Sequence, residues 1–275
     1  MIKMTIREVQ MVSLEILKDV HEFCLHNNIR YTLAYGTLLG AIRHNGFIPW
    51  DDDIDILMPR PDYDRFVKEY KSKKRYRLFA REAEGGKNMF RCIARVCEME
   101  KTLSTNRLAP WTTETTGISI DVLPIDGAPD NIDDASRFIQ ERKEWVHKSI
   151  IYRGKYATWK SVFQRHGLYG KIKSVSKKII GYFISGNCID KMIAHEKTYD
   201  YNECKYVCAH FYYSLGEWIP KDYFESLILH KFEDGDFYIP AKYDAVLKSY
   251  YGDNYMELPP VEKRVTHDWF NYYWK

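Results

Sequence analysis

The chain has 275 residues, 45% of them hydrophobic and 29% charged, with a formal net charge of +3. That length suits one large domain or two modest ones, the composition is that of a soluble globular protein, and so slight a positive balance leaves no footprint for nucleic acid. No run reaches the roughly 18 apolar residues of a membrane span. The start, Met1-Ile2-Lys3-Met4-Thr5-Ile6-Arg7, lacks the apolar core of a signal peptide. Six cysteines (Cys24, Cys92, Cys97, Cys188, Cys204 and Cys208) show no framework spacing, which points to reduced thiols and a cytoplasmic chain.

Val9, Val12, Leu14, Ile16, Leu17, Val20, Phe23 and Cys24 recur at helical spacing between charges, so residues 6–25 read as an amphipathic helix that Asn27-Asn28 ends. Residues 30–35 read as a short strand leading into Gly36-Thr37, where Thr37 can cap a short helix through Leu38, Leu39, Ala41 and Ile42. Such a start offers free backbone N–H groups to a phosphate; an ordinary strand-to-helix turn carries the same signature. Asn45-Gly46 is a turn, and Pro49 sets the entry to Asp51-Asp52-Asp53-Ile54-Asp55-Ile56. Asp53 and Asp55 alternate with Ile54 and Ile56, the period of a half-buried strand with its acids on one face. Carboxylates packed so densely repel one another unless cations or solvent hold them. Two acids on a strand face, shortly after a Gly-Thr turn, point to magnesium-dependent phosphoryl transfer. Asp51 reads as a loop acid framing the pair, and Asp52 as pointing away from it.

Pro59 and Pro61 end that strand, and residues 62–70 read as helix. Tyr76–Phe79 and Met89–Val96 read as strands around Gly85-Gly86. In Gly117–Asp126 a single acid, Asp121, sits between Ile120 and Val122 on an otherwise apolar strand, a costly place unless it meets a cation or a donor. Adjacent strands lie about 4.8 Å apart, so Asp121 can join Asp53 and Asp55 around one ion. Asp126, after Pro124, is expected to cap or turn the following loop. Residues 130–151 read as a charged helix. Residues 159–184 alternate Lys171, Lys173, Lys177 and Lys178 with Leu168, Ile172, Val175, Ile179, Ile180 and Phe183, with no acid between Lys160 and Ser185. Such a stretch either lies on an anionic membrane surface or packs on the domain with a solvated basic face. Residues 188–199 read as helix and 206–213 as strand. Cys204, Cys208 and His210 share a strand face but spread over about 20 Å, and no second ligand pair accompanies them, so they read as structural and not as a zinc site. The remainder alternates aromatic and acidic residues, without linker, repeat or low-complexity segment.

Gly36-Thr37-Leu38-Leu39-Gly40-Ala41-Ile42-Arg43-His44, followed by Gly46-Phe47-Ile48-Pro49-Trp50-Asp51-Asp52-Asp53-Ile54-Asp55, closely resembles the signature of the LicD family of bacterial phosphocholine transferases, distant relatives of fukutin and fukutin-related protein. Gly117–Asp126 is similar to that family's second acidic strand. Tyr250-Tyr251-Gly252-Asp253, Met256, Leu258-Pro259-Pro260, Arg264 and His267 resemble its C-terminal pattern. The family is similar in turn to the nucleotidyltransferase superfamily, whose hydrophobic-Gly-Ser turn, Asp-x-Asp strand and third acid map to Tyr35-Gly36-Thr37, Asp53 with Asp55, and Asp121.

The resemblance implies an α+β fold: a nucleotidyltransferase-like mixed β-sheet flanked by helices, with family-specific helical and C-terminal extensions. It implies a single domain with a core of about residues 6–126, a helical insertion at 130–200 and a C-terminal segment at 205–275. Mg2+ (or Mn2+) would be held by Asp53, Asp55 and Asp121, and donor phosphate by Gly36 and Thr37. Arg43 and Arg95 would meet phosphate oxygens, His44 would stand beside the site or simply pack, and Asp121 could take the acceptor's proton. The implied reaction moves phosphocholine, or a similar phospho-alcohol, from CDP-choline or another CDP-alcohol to a hydroxyl of a lipid-linked cell-surface glycan or teichoic acid precursor, releasing CMP. A nucleotidyltransferase that releases pyrophosphate and a non-catalytic nucleotide-binding protein are the competing readings. Aromatic faces attract quaternary ammonium groups, and 22 Tyr with 7 Trp are consistent with a choline pocket.

Overall fold

A computed structural model describes residues 1–81, 93–106, 116–157, 159–163, 167–209, 214–266 and 270–275. Strand β1 (Ile2–Lys3) leads to helix α1 (Ile6–Asn27), followed by β2 (Thr32–Leu33), α2 (Tyr35–His44), β3 (Asp55–Pro59), α3 (Arg60–Glu69), β4 (Tyr76–Phe79), β5 (Ala94–Glu98), β6 (Thr102–Asn106) and β7 (Ser119–Ala128). A helical stretch comes next: α4 (Ile132–Gly154), α5 (Trp159–Phe163), α6 (Gly167–Gly181) and α7 (Cys188–Glu196). The chain finishes with β8 (Tyr206–Ala209), β9 (Trp218–Pro220), β10 (Leu227–Phe232), β11 (Gly235–Pro240), α8 (Tyr243–Tyr251) and β12 (Phe270–Trp274).

The main sheet runs β2-β3-β7-β5-β4, with β8 added to β7 and β9 to β8. Strands β3 and β7 are parallel, and the other described pairs in this sheet are antiparallel. The sheet is therefore mixed, and with helices flanking it the fold is α+β. Strand β7 is its spine. Its first half lies between β3 and β5, and from Ile125 onward it pairs with β8.

Amphipathic spacing explains how the helices meet this sheet. Thr5 caps α1 reciprocally: its hydroxyl accepts from the Glu8 N–H, and the Glu8 carboxylate accepts from the Thr5 N–H at 2.8 Å. The buried stripe Leu14, Ile16, Leu17 and Val20 then packs with Ile54, Ile56, Ile120 and Val122 in one core. Each such side chain contributes about 1.5–3 kcal/mol on burial. Helix α3 is tied to the sheet by a buried fork. Arg60 Nε and Nη2 donate to Asp126 Oδ1 and Oδ2 at 2.6 and 2.7 Å. Asp126 thus lies inside β7 as an ion-pair partner, where a loop cap was expected; the long-range arginine that receives it has no local sequence signal. Similarly, buried Arg142 on α4 donates to Glu196 on α7 at 2.8 Å.

Two expected strands are described only in part. Strand β5 starts at Ala94, residues 82–92 lying outside the described residues, and β8 is described as Tyr206–Ala209, with 210–213 outside them. Cys24, Cys97, Cys188, Cys204 and Cys208 are free thiols, whereas Cys92 and His210 fall outside the described residues.

Candidate active site

Helix α2 begins one turn earlier than its threonine suggested. Ala34 is the flanking residue and Tyr35 the first of the helix, so Thr37 stands inside the first turn and does not cap it. Its hydroxyl accepts instead from the Asp55 backbone N–H at 2.9 Å. The Asp55 carbonyl accepts from the Ala34 N–H at 3.0 Å, so the Gly-Thr turn grips the acidic strand from both backbone sides. Tyr35 adopts φ 44°, a strained conformation for a bulky side chain. Its ring stacks on Tyr250 of α8, centroids 5.0 Å apart, which helps hold it there. At Gly36 a Cβ would come 2.5 Å from Asp51 Oδ2. The bare glycine therefore lets the Asp51 carboxylate settle over the N-terminus of α2, the place expected for donor phosphate and one that favours negative charge.

Asp53 lies just before β3 and not on it, although the ladder reaches back to Ile54, whose carbonyl accepts from the Asp121 N–H at 2.9 Å. In the parallel register Asp55 is opposite Asp121, and on the other side of β7 Arg95 is opposite Asp121. Arg95 Nε stands 2.5 Å from Asp121 Oδ1, and Nη2 donates to Oδ2 at 2.9 Å. Burial pushes the Asp55 carboxyl well above the usual carboxylate range; the charges of Asp53, Asp121 and Asp51 push the same way, and Arg95 opposes them. Asp52 is buried, its charge acting on Tyr272.

Arg43, expected at phosphate, does another job here, and His44 packs beside it. Arg43 Nη1 donates to the carbonyls of Tyr255 and Glu257 at 3.0 and 3.1 Å, and its Nε donates to His44 Nε2 at 3.0 Å. Burial lowers the pKa of both, and Arg43 lowers that of His44 further. His44 also meets the edge of Trp50, over which Arg264 lies 5.5 Å from the ring centre. Arg43 and His44 thus buckle α2 to the segment after α8, while Arg264 reaches the same motif from further downstream. His267 lies outside the described residues.

Sequence reasoning missed the tyrosines of the site. Burial of the Tyr251 hydroxyl and the charges of Asp55, Asp51 and Asp53 raise its pKa, so this hydroxyl lies within the field of the acids although the residue as a whole is 44% exposed. Tyr272 of β12 similarly feels Asp52, Arg95, Asp53 and Asp121. The Tyr250-Tyr251-Gly252 run was visible as a motif, but nothing local indicates that it folds back some two hundred residues onto the acidic strand.

The donor set offers hard carboxylate oxygens whose mutual repulsion a divalent cation would relieve, which suits Mg2+ or Mn2+. Asp53 and Asp55 lie close enough for the charge of Asp53 to raise the Asp55 carboxyl, and they would be the residues to hold it. Asp121 is committed to Arg95, and among the described residues no three His, Cys, Asp or Glu side chains are gathered as a ready metal site.

The family model described as "LicD/FKTN/FKRP, nucleotidyltransferase domain" matches residues 28–163, which span both acidic segments. Over 96% of its length, and 96% of the relative's, the chain is 31% identical to a lipopolysaccharide cholinephosphotransferase LicD of Haemophilus influenzae. Shorter matches, 57% identical over 42 residues and 15% of this chain, link it to uncharacterised proteins of Rickettsia prowazekii and Rickettsia typhi. The chain belongs to the LicD family.

Proposed function

We propose that this protein is a phosphotransferase that moves phosphocholine, or a closely similar phospho-alcohol, from a CDP-linked donor to a hydroxyl of a cell-surface glycan precursor such as lipopolysaccharide, releasing CMP. The observation that carries the reading is the meeting of Asp51, Asp53, Asp55 and the Asp121–Arg95 pair at the N-terminus of α2. The likeness over the full chain to a cholinephosphotransferase supports the choice of cargo.

Mg2+ or Mn2+, held by Asp53 and Asp55, would neutralise charge on the donor diphosphate and on the departing CMP. Thr37 keeps Asp55 in place through its backbone, a positioning role. The N-terminus of α2 takes up donor phosphate as Asp51 yields its place over Gly36. Arg95 offers its fork to the same phosphate. With Arg95 turned to the donor phosphate, the Asp121 carboxylate would be free either to join Asp53 and Asp55 in holding the cation or to accept the acceptor's proton. The stacked rings of Tyr35 and Tyr250, with Tyr251, would offer aromatic faces suited to a quaternary ammonium. The acceptor is lipid-linked and the reaction cytoplasmic in this reading.

Incubation with CDP-choline, MgCl2 and lipopolysaccharide lacking phosphocholine should yield CMP and phosphocholine-bearing glycan in equal amounts. Release of pyrophosphate from a nucleoside triphosphate, with CMP left on the product, would instead identify a nucleotidyltransferase. Nucleotide binding without either product would leave a non-catalytic binding protein.

A further inference from the structure

Helix α6 turns its apolar stripe the wrong way for a protein interior. Leu168, Ile172, Val175 and Ile179, continued by Phe183 just past the helix, follow one another at four, three, four and four residues, which lines them along one helix face. A stripe of that spacing normally faces the core. Here Leu168 is 76% exposed, Ile172 59%, Ile179 51% and Phe183 85%. The opposite face makes the contact with α4. A Cβ at Gly181 would lie 2.6 Å from the Ile151 carbonyl, and buried Lys178 donates to the Lys155 carbonyl at 2.9 Å.

The rim of the stripe has its own chemistry. Trp159 and Phe163 of α5, stacked on each other, are exposed beside it, as are Tyr169 and Tyr182. The sequence from 159 to 185 contains no acid, and its buried Lys178 belongs to the face against α4. Exposed Lys171 and Lys173 flank the apolar line on its two sides. No described helix is long and apolar enough to cross a membrane. An apolar line edged by amphipathic aromatics and cations, on a helix that does not span, is the composition of an element lying in the plane of a bilayer interface. These exposed cations, with no acid near them in the sequence, select anionic lipid over a neutral surface.

We propose that α5, α6 and the residues through Phe183 form a docking surface for an anionic lipid bilayer. The proposal is independent of the transfer chemistry, since it uses none of the acids or arginines of the candidate site.

The test is co-sedimentation of the full chain with phosphatidylcholine vesicles, with and without about 30 mol% phosphatidylglycerol. The protein should pellet with the anionic vesicles and stay in solution with the neutral ones. Ile172→Asp with Phe183→Asp should lower the partition coefficient by at least about tenfold, and Lys171→Gln with Lys173→Gln by about tenfold at low salt. All four positions are exposed, so unchanged circular dichroism and unchanged release of CMP with a water-soluble acceptor should accompany these losses. Wild-type protein that remains in solution with anionic vesicles would overturn the proposal, as would an aspartate variant that pellets like wild type. So would a concentration-dependent dimer broken by Ile172→Asp without lipid binding, since the stripe would then cover a second copy.

Discussion

Backbone and side chain pull in opposite directions at Asp55. Thr37 and Ala34 pin its N–H and carbonyl, while Asp53, Asp121 and Asp51 crowd its carboxylate. A carboxyl whose folded pKa is raised destabilises the folded state as pH climbs from the ordinary carboxylate range through the raised value. Asp55→Asn removes that penalty. The variant should melt at the wild-type temperature or above it in metal-free buffer near neutral pH, as followed by circular dichroism. On the proposed mechanism its transfer rate should fall by at least about a thousandfold, because the cation would lose a ligand whose charge acts on the diphosphate. A variant that melts lower, or one that still turns over, would contradict this placement of the charges. Tyr251→Phe tests the tyrosine beside the acids. It should leave the melting temperature within a few degrees and lower kcat/KM by about tenfold, read from a titration of the donor.

Element by element, the turn between α2 and the acidic strand is set from outside the motif. Glu233 stands at the tip of the β10–β11 hairpin with φ 58°. Its carboxylate accepts from the Phe47 N–H at 3.1 Å and pairs with Arg7 at 2.5 Å, and its own N–H donates to the Asn45 carbonyl at 2.9 Å. The bond to Arg7, above all, holds its pKa below the ordinary 4.5. A depressed carboxylate contributes stability above its unfolded pKa and loses it as pH falls through the folded one. Wild type should therefore lose about 1 kcal/mol relative to Glu233→Gln below about pH 4.5, since exposed Arg7 screens the pair. Urea melts across that range read the difference.

Local periodicity made much of this level legible. The stripe of α1, the burial of Ile54 and Ile56, and the placing of Asp121 on a largely apolar strand stand in the sequence as they stand in the fold. Thr37 deceived because a threonine after glycine suits a cap, whereas its hydroxyl meets a strand eighteen residues on. Asp53 fell outside the strand, because the described hydrogen bonds to β7 reach back to the Ile54 carbonyl and no further. Arg43 read as a phosphate ligand because no local pattern announces the Tyr255 and Glu257 carbonyls that hold it.

For the whole molecule, the contacts that close the fold join residues far apart in sequence. Strand β12 lies between β1 and β6, pairing Ile2 with Trp274 and Asn106 with Phe270, and thereby brings Tyr272 to the acids. The Arg60–Asp126 fork joins the helical layer to the spine strand in the same long-range way. Asp126→Asn should cost about 3 kcal/mol, because it leaves the buried guanidinium with only the longer contact to half-exposed Asp64 at 3.5 Å. The double replacement Arg60→Met with Asp126→Leu should recover most of that loss, as measured by urea denaturation. Equal instability in the double variant would mean that packing and not charge governs the joint.

Strand β7 carries both of its acids five residues apart, an odd interval that directs them to opposite faces of the sheet. Asp121 meets Arg95 on one side, and Asp126 meets Arg60 on the other. A slip of β7 by a single residue would bury each charge against the wrong layer, stranding two carboxylates and two guanidiniums at once. The two forks therefore act as a proofreading device during assembly: of the registers this nearly all-apolar strand could adopt, they admit the one that brings Asp121 level with Asp55.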